Sequence, residues 1–292
     1  MLSYIRGFYP LADLILIGAG YAFSQYIVLR SGTFSIATSG LAAIGAYTAA
    51  ILTVRHGLHP ALSVAAAAAA GMASALVIAV PLARLRGVYQ AIASLAFVKI
   101  VESLNLHFDG LTGGPLGFNG IPRYVGTPAL VLAVAAVVYL VMAIDRGGIG
   151  RVFEAMRQDP AVPSSLGVNP ARYHALAFAL SGAIAGLFGA LDAFRNYNLT
   201  PEQFGFPLTV AALSYVILGG RRSVWGPIAG AVILIVLPEL SRPLAENRMA
   251  VYGLLLMLTI GYLPYGVVDT FLLHLRRRRL SAAQPAAAGA PP

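Results

Sequence analysis

The 292-residue chain has no cysteine, one lysine and one tryptophan. Without thiols there is no disulfide, no iron–sulfur cluster and no cysteine-ligated zinc site. The single lysine, Lys99, follows Val98 within an apolar run, so the Gly-Lys-Ser/Thr ending of an ATP-binding loop is missing. Charge is scarce as well: 11% of residues, against about 25% in soluble proteins. Neither His-Glu-x-x-His nor Gly-x-Ser-x-Gly occurs. Of the five histidines, His56, His59, His107, His174 and His274, only the first two are neighbours, and no further ligand stands at metal spacing beside them. A membrane-embedded enzyme would have no visible catalytic set.

What the sequence does have is apolar surface. Ala, Val, Ile, Leu, Met, Phe, Trp, Tyr and Cys together make 58% of the chain, more than a soluble globule of this size can hide. The net charge of +9 comes from arginines placed between apolar runs. In that setting they mark cytoplasmic loops rather than a nucleic-acid surface. The reading is an all-α, polytopic membrane helix bundle.

A hydrocarbon core of about 30 Å takes roughly 20 apolar residues per helix. On that measure about nine spans fit, at 11–29, 33–54, 61–82, 88–106, 127–144, 173–194, 206–218, 224–240 and 250–272. Arg6 before the first run resembles a signal peptide, but the run is long and no small-residue cleavage site follows, so it reads as an uncleaved helix. The span 206–218 is short enough to be re-entrant.

Basic residues set the sidedness. An N-out, C-in arrangement puts thirteen arginines inside: Arg30, Arg84, Arg86, Arg146, Arg151, Arg157, Arg172, Arg221, Arg222 and Arg276 to Arg279. It leaves six outside: Arg6, Arg55, Arg123, Arg195, Arg242 and Arg248. The excess favours this orientation, and it also requires 206–218 to cross. The transmembrane domain is then 1–275, with a basic, disordered cytoplasmic tail over 276–292. Small-xxx-small spacing at Gly182, Gly186 and Ala190, and at Gly40, Ala43 and Tyr47, predicts tight helix packing.

Charges inside spans are functional candidates. Lys99 and Glu102 stand three apart on the fourth span, with Asn105 three further, so they share one face. Either they form a structural pair near the outer edge, or they line a translocation path. Asp13, Asp145, Asp192 and Glu239 fall near helix ends, where charge is cheap, and receive no role.

Two loops stand out. The outside loop holds Thr112, Gly113, Gly114, Pro115, Gly117, Gly120 and Pro122, a density of turn formers that calls for defined turns and close backbone approach. The cytoplasmic loop, 145–172, is the one large polar segment. In it Asp159 reads as a helix N-cap, Pro160 as the first helical position and Gly167 as the stop. The helix between them has about two turns, too short to stand alone in water, and it needs a surface to dock on.

At this loop the sequence resembles the permease subunits of the branched-chain amino acid ABC transporter family, most closely the M-type of its two paralogous permeases. The likeness runs from Gly32-Thr33-Phe34-Ser35 and Gly45-Ala46-Tyr47, through Thr112-Gly113-Gly114-Pro115 and Gly120-Ile121-Pro122. It continues with Gly150-Arg151 to Leu166-Gly167-Val168, then Gly186 and Gly189-Ala190-Leu191, to Gly219-Gly220 and Trp225-Gly226-Pro227. The sequence departs from the family pattern at Arg30-Ser31, at Thr38-Ser39-Gly40, at Pro163 and at Arg221-Arg222.

The resemblance implies a bacterial inner-membrane importer subunit that catalyses no covalent chemistry. Its implied partners are a second permease, two ATP-binding subunits that carry ATP and Mg, and a periplasmic substrate-binding protein. The chain itself would bind no cofactor. ATPase coupling would fall to Arg151, Glu154, Arg157, Asp159, Leu166 and Gly167, and binding-protein docking to Thr112, Gly113, Gly114, Pro115 and Gly117. The cargo would be branched-chain or hydrophobic amino acids, with urea or short amides as the alternative class. A self-contained secondary transporter or channel is the rival reading.

Overall fold

The structure, a computed structural model, describes residues 2–85, 87–159, 161–240, 253, 257, 266–270 and 274, with backbone alone for 2–9 and 238–240. Eleven helices account for nearly all of it. They are α1 (Leu2–Arg30), α2 (Thr38–His56), α3 (Pro60–Leu82), α4 (Val88–His107), α5 (Asp109–Thr112), α6 (Thr127–Arg146), α7 (Gly148–Gln158), α8 (Ala161–Ser165), α9 (Pro170–Arg195), α10 (Phe206–Gly219) and α11 (Gly226–Leu240). One two-residue antiparallel ladder pairs Phe118 with Leu199 and Asn119 with Asn198.

Among the described residues, four helices are long and apolar enough to cross a membrane: α1 from Pro10, α3, α6 and α9. A fifth results if α4 and the segment 109–116, bent by 82° at their junction, count as one span. The helix α2 has 19 residues but carries Thr, Ser, Gly and Arg along its length. At 14 and 15 residues, α10 and α11 are short. The segment expected at 250–272 and the tail 276–292 lie outside the described residues, except for isolated positions.

The core is built around α9. Its Gly182 presses on the carbonyl oxygen of Gly71, and its Gly186 on that of Ala67, both in α3. On the α2 side, Gly189 meets the Ala42 carbonyl and Gly45 meets the Gly186 backbone. No Cβ fits at these contacts, so the small residues set the interhelical distance. The expected stripe at Gly182 and Gly186 is in place. On α2 the glycine that packs on α9 is Gly45, while Gly40 packs on Phe97 and Val98 of α4.

Among the described residues two groups of polar contacts tie helix ends together. At one end Arg30 pairs with Asp145 at 3.3 Å and donates to the Arg222 carbonyl at 2.7 Å, while Gly32 packs against the Arg157 backbone. At the other, Arg195 lies 3.6 Å from Asp13, Thr127 donates to Asp13 at 2.7 Å, and Arg55 donates to the Gly110 carbonyl. Asp13 and Asp145, read from the sequence as having no role, therefore tie helix ends together. The helix α10 runs from the level of Glu102, beside Gly205, to the end that holds Arg30, a rise of about 21 Å at 1.5 Å per residue.

One sequence expectation needs correcting. The span drawn at 33–54 becomes helical only at Thr38; residues 33–37 form no regular element. Serine and threonine at 31, 33, 35, 38 and 39 give the backbone competing side-chain partners, and the surrounding helices supply the rest.

Candidate functional site

The loop between α6 and α9 is more ordered than its polarity suggests. In α7, Gly150, Phe153 and Met156 are buried at helical spacing and turn that face onto the bundle. The Phe153 ring meets Tyr173 of α9 edge-on at 6.4 Å. On the outer side, Arg157 pairs with Glu154 at 2.5 Å and Gln158 donates to the same carboxylate at 3.3 Å. Partial burial pushes the Glu154 carboxyl up, but the hydrogen bonds from Arg157 and Gln158, with the charges of Arg157 and Arg30, outweigh it and hold the group below its ordinary value. Arg151 is exposed on the same helix.

The short helix follows. Asp159 Oδ1 accepts the Ala161 amide at 2.9 Å, the N-cap expected from sequence. Pro160 lies outside the described residues. Gly167 adopts φ +79°, and the Val168 and Gly167 amides return to the Pro163 and Ser164 carbonyls at 3.0 and 3.1 Å. That is a left-handed helix stop, which glycine alone adopts without strain. Pro163 falls in the first turn, where its missing N–H leaves no intrahelical bond unmade. Its ring is buried, whereas Val162 and Leu166, one turn apart, are 52% and 78% exposed.

Beside this loop lies a cleft of about 690 Å³ between Thr33, Gln90, Arg157, Asn169 and His174. Thr33, on its wall, opens the non-helical segment 33–37, whose backbone is held largely by side chains. Gln25 donates to the Ser35 carbonyl at 2.6 Å and accepts from Thr38 at 2.8 Å. The Phe34 amide donates to Gln90 at 3.2 Å, and the Ile36 amide to Ser94 at 3.0 Å. Thr33 lies 2.7 Å from His174 Nδ1, and Ser24 lies 2.9 Å from Ser181. Sequence reasoning missed this network. The signal was the Ser/Thr density from 31 to 39 facing glutamines at 25 and 90. Non-helical backbone at membrane depth persists only where protein groups satisfy it.

The charges on α4 do meet. Lys99 Nζ donates to Glu102 at 2.8 Å, with the lysine side chain 56% exposed and the glutamate 17%. Glu102 lies against Gly205, where an added Cβ would stand 3.5 Å from its carboxylate. Asn105 joins the outer loop through its backbone carbonyl, which accepts from Thr112 at 2.6 Å.

That outer loop is a series of tight turns. Gly113, Gly114, Gly117 and Gly120 all have φ between +57° and +82°, the region that favours glycine. Pro115 lies in the 3-10 turn Gly114–Leu116, and Gly117 packs on the Leu199 carbonyl. Arg55 stands over the Phe118 ring at 5.8 Å. The loop is pinned at its base while Leu116 is exposed.

Comparison with known proteins gives a consistent result. The sequence model of the family described as "Branched-chain amino acid transport system / permease component" matches residues 11–260. The chain is 31% identical to the high-affinity branched-chain amino acid transport system permease protein LivM of Escherichia coli K12, over 97% of this chain and 74% of that protein. It is 29% identical to the permease protein LivH of Salmonella typhimurium LT2, over 47% of this chain and 45% of that one. It is also 26% identical to the fructose import permease protein FruF of Bifidobacterium longum, over 91% and 82% respectively. No solved structure matches the chain.

Proposed function

The chain belongs to the permease-component family of branched-chain amino acid transport systems, and from that premise we propose that it is one of two membrane subunits of an ATP-driven importer. It is a multi-pass membrane protein and a transport subunit; the inner membrane of a bacterium, the nine spans and the N-out, C-in orientation belong to the proposal. The cargo is a branched-chain or hydrophobic amino acid or a related small solute. A second permease completes the path, two separate subunits bind ATP and Mg, and a periplasmic binding protein delivers the cargo.

The observation that carries this reading is the α7–α8 unit. The buried face of α7 anchors it, the Asp159 cap and the Gly167 stop shape α8, and Val162 and Leu166 stand free at the tip. A rigid two-helix lever with an apolar tip suits a coupling contact to a motor subunit. It adjoins the non-helical segment 33–37 through Gly32 and Arg157, so a push on α8 reaches the bundle interior. Arg151, Glu154 and Arg157 form the charged side of that lever. The outer loop around Thr112, Gly113, Gly114, Pro115 and Gly117 serves as the binding-protein platform. Lys99, Glu102 and Asn105 line the path.

The test is reconstitution of the chain with a second permease, ATP-binding subunits and a binding protein from the same source. ATP-dependent leucine uptake that requires every component supports the reading. Uptake by the chain alone on an ion gradient overturns it.

A further inference from the structure

Arg221 and Arg222, where the sequence leaves the family pattern, take no part in the importer reading. They sit in the turn between α10 and α11, and the structure clamps the backbone of that turn from two sides. The Arg222 amide donates to Asp269 at 2.8 Å, and the Arg222 carbonyl accepts from Arg30 at 2.7 Å. Gly220, at φ +115°, starts the turn. Both arginines are exposed.

They line a second hollow, of about 360 Å³, together with Thr33, Phe34, Arg157 and Gln158. Among the described residues no acid lines it. The acids close by are engaged: Asp145 with Arg30, Glu154 with Arg157, and Asp269 with the turn amide. Even counting all of these, four arginines outnumber three acids. Arg157 also keeps a buried Nε with no hydrogen-bond partner among the described residues. Guanidinium groups around one hollow repel one another and are eased by an anion between them. Their planar, many-donor heads suit a phosphate.

Depth selects the kind of phosphate. With 14 residues, α10 is about 21 Å long, short of a hydrocarbon core of about 30 Å. A turn at the end of so short a helix stops at the level of the lipid headgroups instead of clearing them. The apolar neighbours agree. Phe34, in the wall of the hollow, is 40% exposed, and Trp225, just before α11, is 54% exposed. Tryptophan beside basic residues is an arrangement of the membrane interface.

We propose that this hollow binds the phosphate of an anionic phospholipid, in the leaflet at the Arg30 end of the bundle, with an acyl chain alongside Phe34 and Trp225. The site goes beyond the importer reading and needs none of its partners. Arg221 and Arg222 donate to the phosphate oxygens from the turn, and Arg157 donates from α7. Since Arg157 belongs to the α7–α8 lever, the bound lipid ties that lever to the α10–α11 turn. A zwitterionic lipid brings its own ammonium and gains less there.

The chain carries its own probe, because Trp225 is its one tryptophan. The full chain is reconstituted in phosphatidylcholine vesicles with a small fraction of brominated phosphatidylglycerol or, at the same fraction, brominated phosphatidylcholine. Brominated phosphatidylglycerol quenches Trp225 emission more strongly. Equal quenching by the two lipids overturns the proposal, and that result needs no variant to fold.

The arginines are then tested in the same vesicles. R221Q/R222Q lowers the preference for phosphatidylglycerol by about fivefold for each arginine removed. R84Q, at an exposed arginine just after α3, keeps it. Excess inorganic phosphate leaves the quenching in place. Relief of quenching by phosphate would assign the hollow to a soluble anion and overturn the lipid as its occupant. An unchanged preference in R221Q/R222Q, with loss of bound ATP-binding subunits from the complex, would make the hollow a protein contact and overturn the proposal as well.

Discussion

Gln25 Nε2 donates to the carbonyl oxygen of Ser35 at 2.6 Å, across the gap between α1 and the non-helical segment before α2. One side chain thus stands in for the helix bond that the segment does not make. The same amide accepts from Thr38 at 2.8 Å, so Gln25 fixes both the segment and the first residue of the next helix.

Replacing Gln25 with leucine keeps its bulk and leaves both partners buried without it. Each unmet group costs about 1–3 kcal/mol. The expected outcome is a clear drop in the thermal midpoint of the detergent-purified protein. Gln203→Leu, at an exposed position, leaves it unchanged.

Gly186 lies between two helices, against Ala67 of α3 on one side and Gly45 of α2 on the other. Gly186→Leu therefore forces backbone apart rather than displacing a side chain, and the cost exceeds the usual 1–3 kcal/mol or so of core overpacking. Folded protein recovered from the membrane should fall several-fold, as fluorescence-detected gel filtration would show. Ala190→Gly, in the same helix, loses little.

Leu166 is the tip of the α7–α8 lever. Leu166→Glu leaves the Asp159 cap and the Gly167 stop untouched, so membrane abundance stays near wild type. Uptake and cargo-stimulated ATP hydrolysis both collapse. Undiminished uptake would remove Leu166 from the coupling contact.

The Glu154 carboxyl titrates below its ordinary value when folded. The sign follows from that direction: its contribution is complete above the ordinary value of 4.5 and is lost as pH falls through the lowered folded value. On acidification through that window, hydrogen exchange in α7 should quicken in the wild type relative to Glu154→Gln at the same pH. Equal behaviour of the two proteins would show that the Arg157 and Gln158 contacts do not hold the helix.

Several of these features were legible in the sequence. Asp159 and Gly167 bracketed a helix whose cap and stop the structure shows at those residues, because caps are local chemistry. The Gly182 and Gly186 stripe and the glycine-rich outer turns were legible for the same reason. The break before Thr38 was not, since a run such as Phe34 to Ala37 is apolar enough to pass for helix. What holds it open is Gln90 and Ser94, more than fifty residues away in sequence. The helix α7 is written in the spacing of Phe153 and Met156, but the polarity of the loop around them hides it. Asp13 and Asp145 looked idle because their partners, Arg195 and Arg30, come from other helices.

The central claim is that this chain works as one permease of a multi-subunit importer. Purification of the tagged protein in mild detergent, from cells expressing its neighbouring genes, followed by mass spectrometry, tests it most directly. The account predicts that a second permease and ATP-binding subunits come with it in fixed proportion, and that Leu166→Glu loses the ATP-binding subunits alone. A well-folded single chain with neither companion would contradict it and bring the self-contained transporter reading forward.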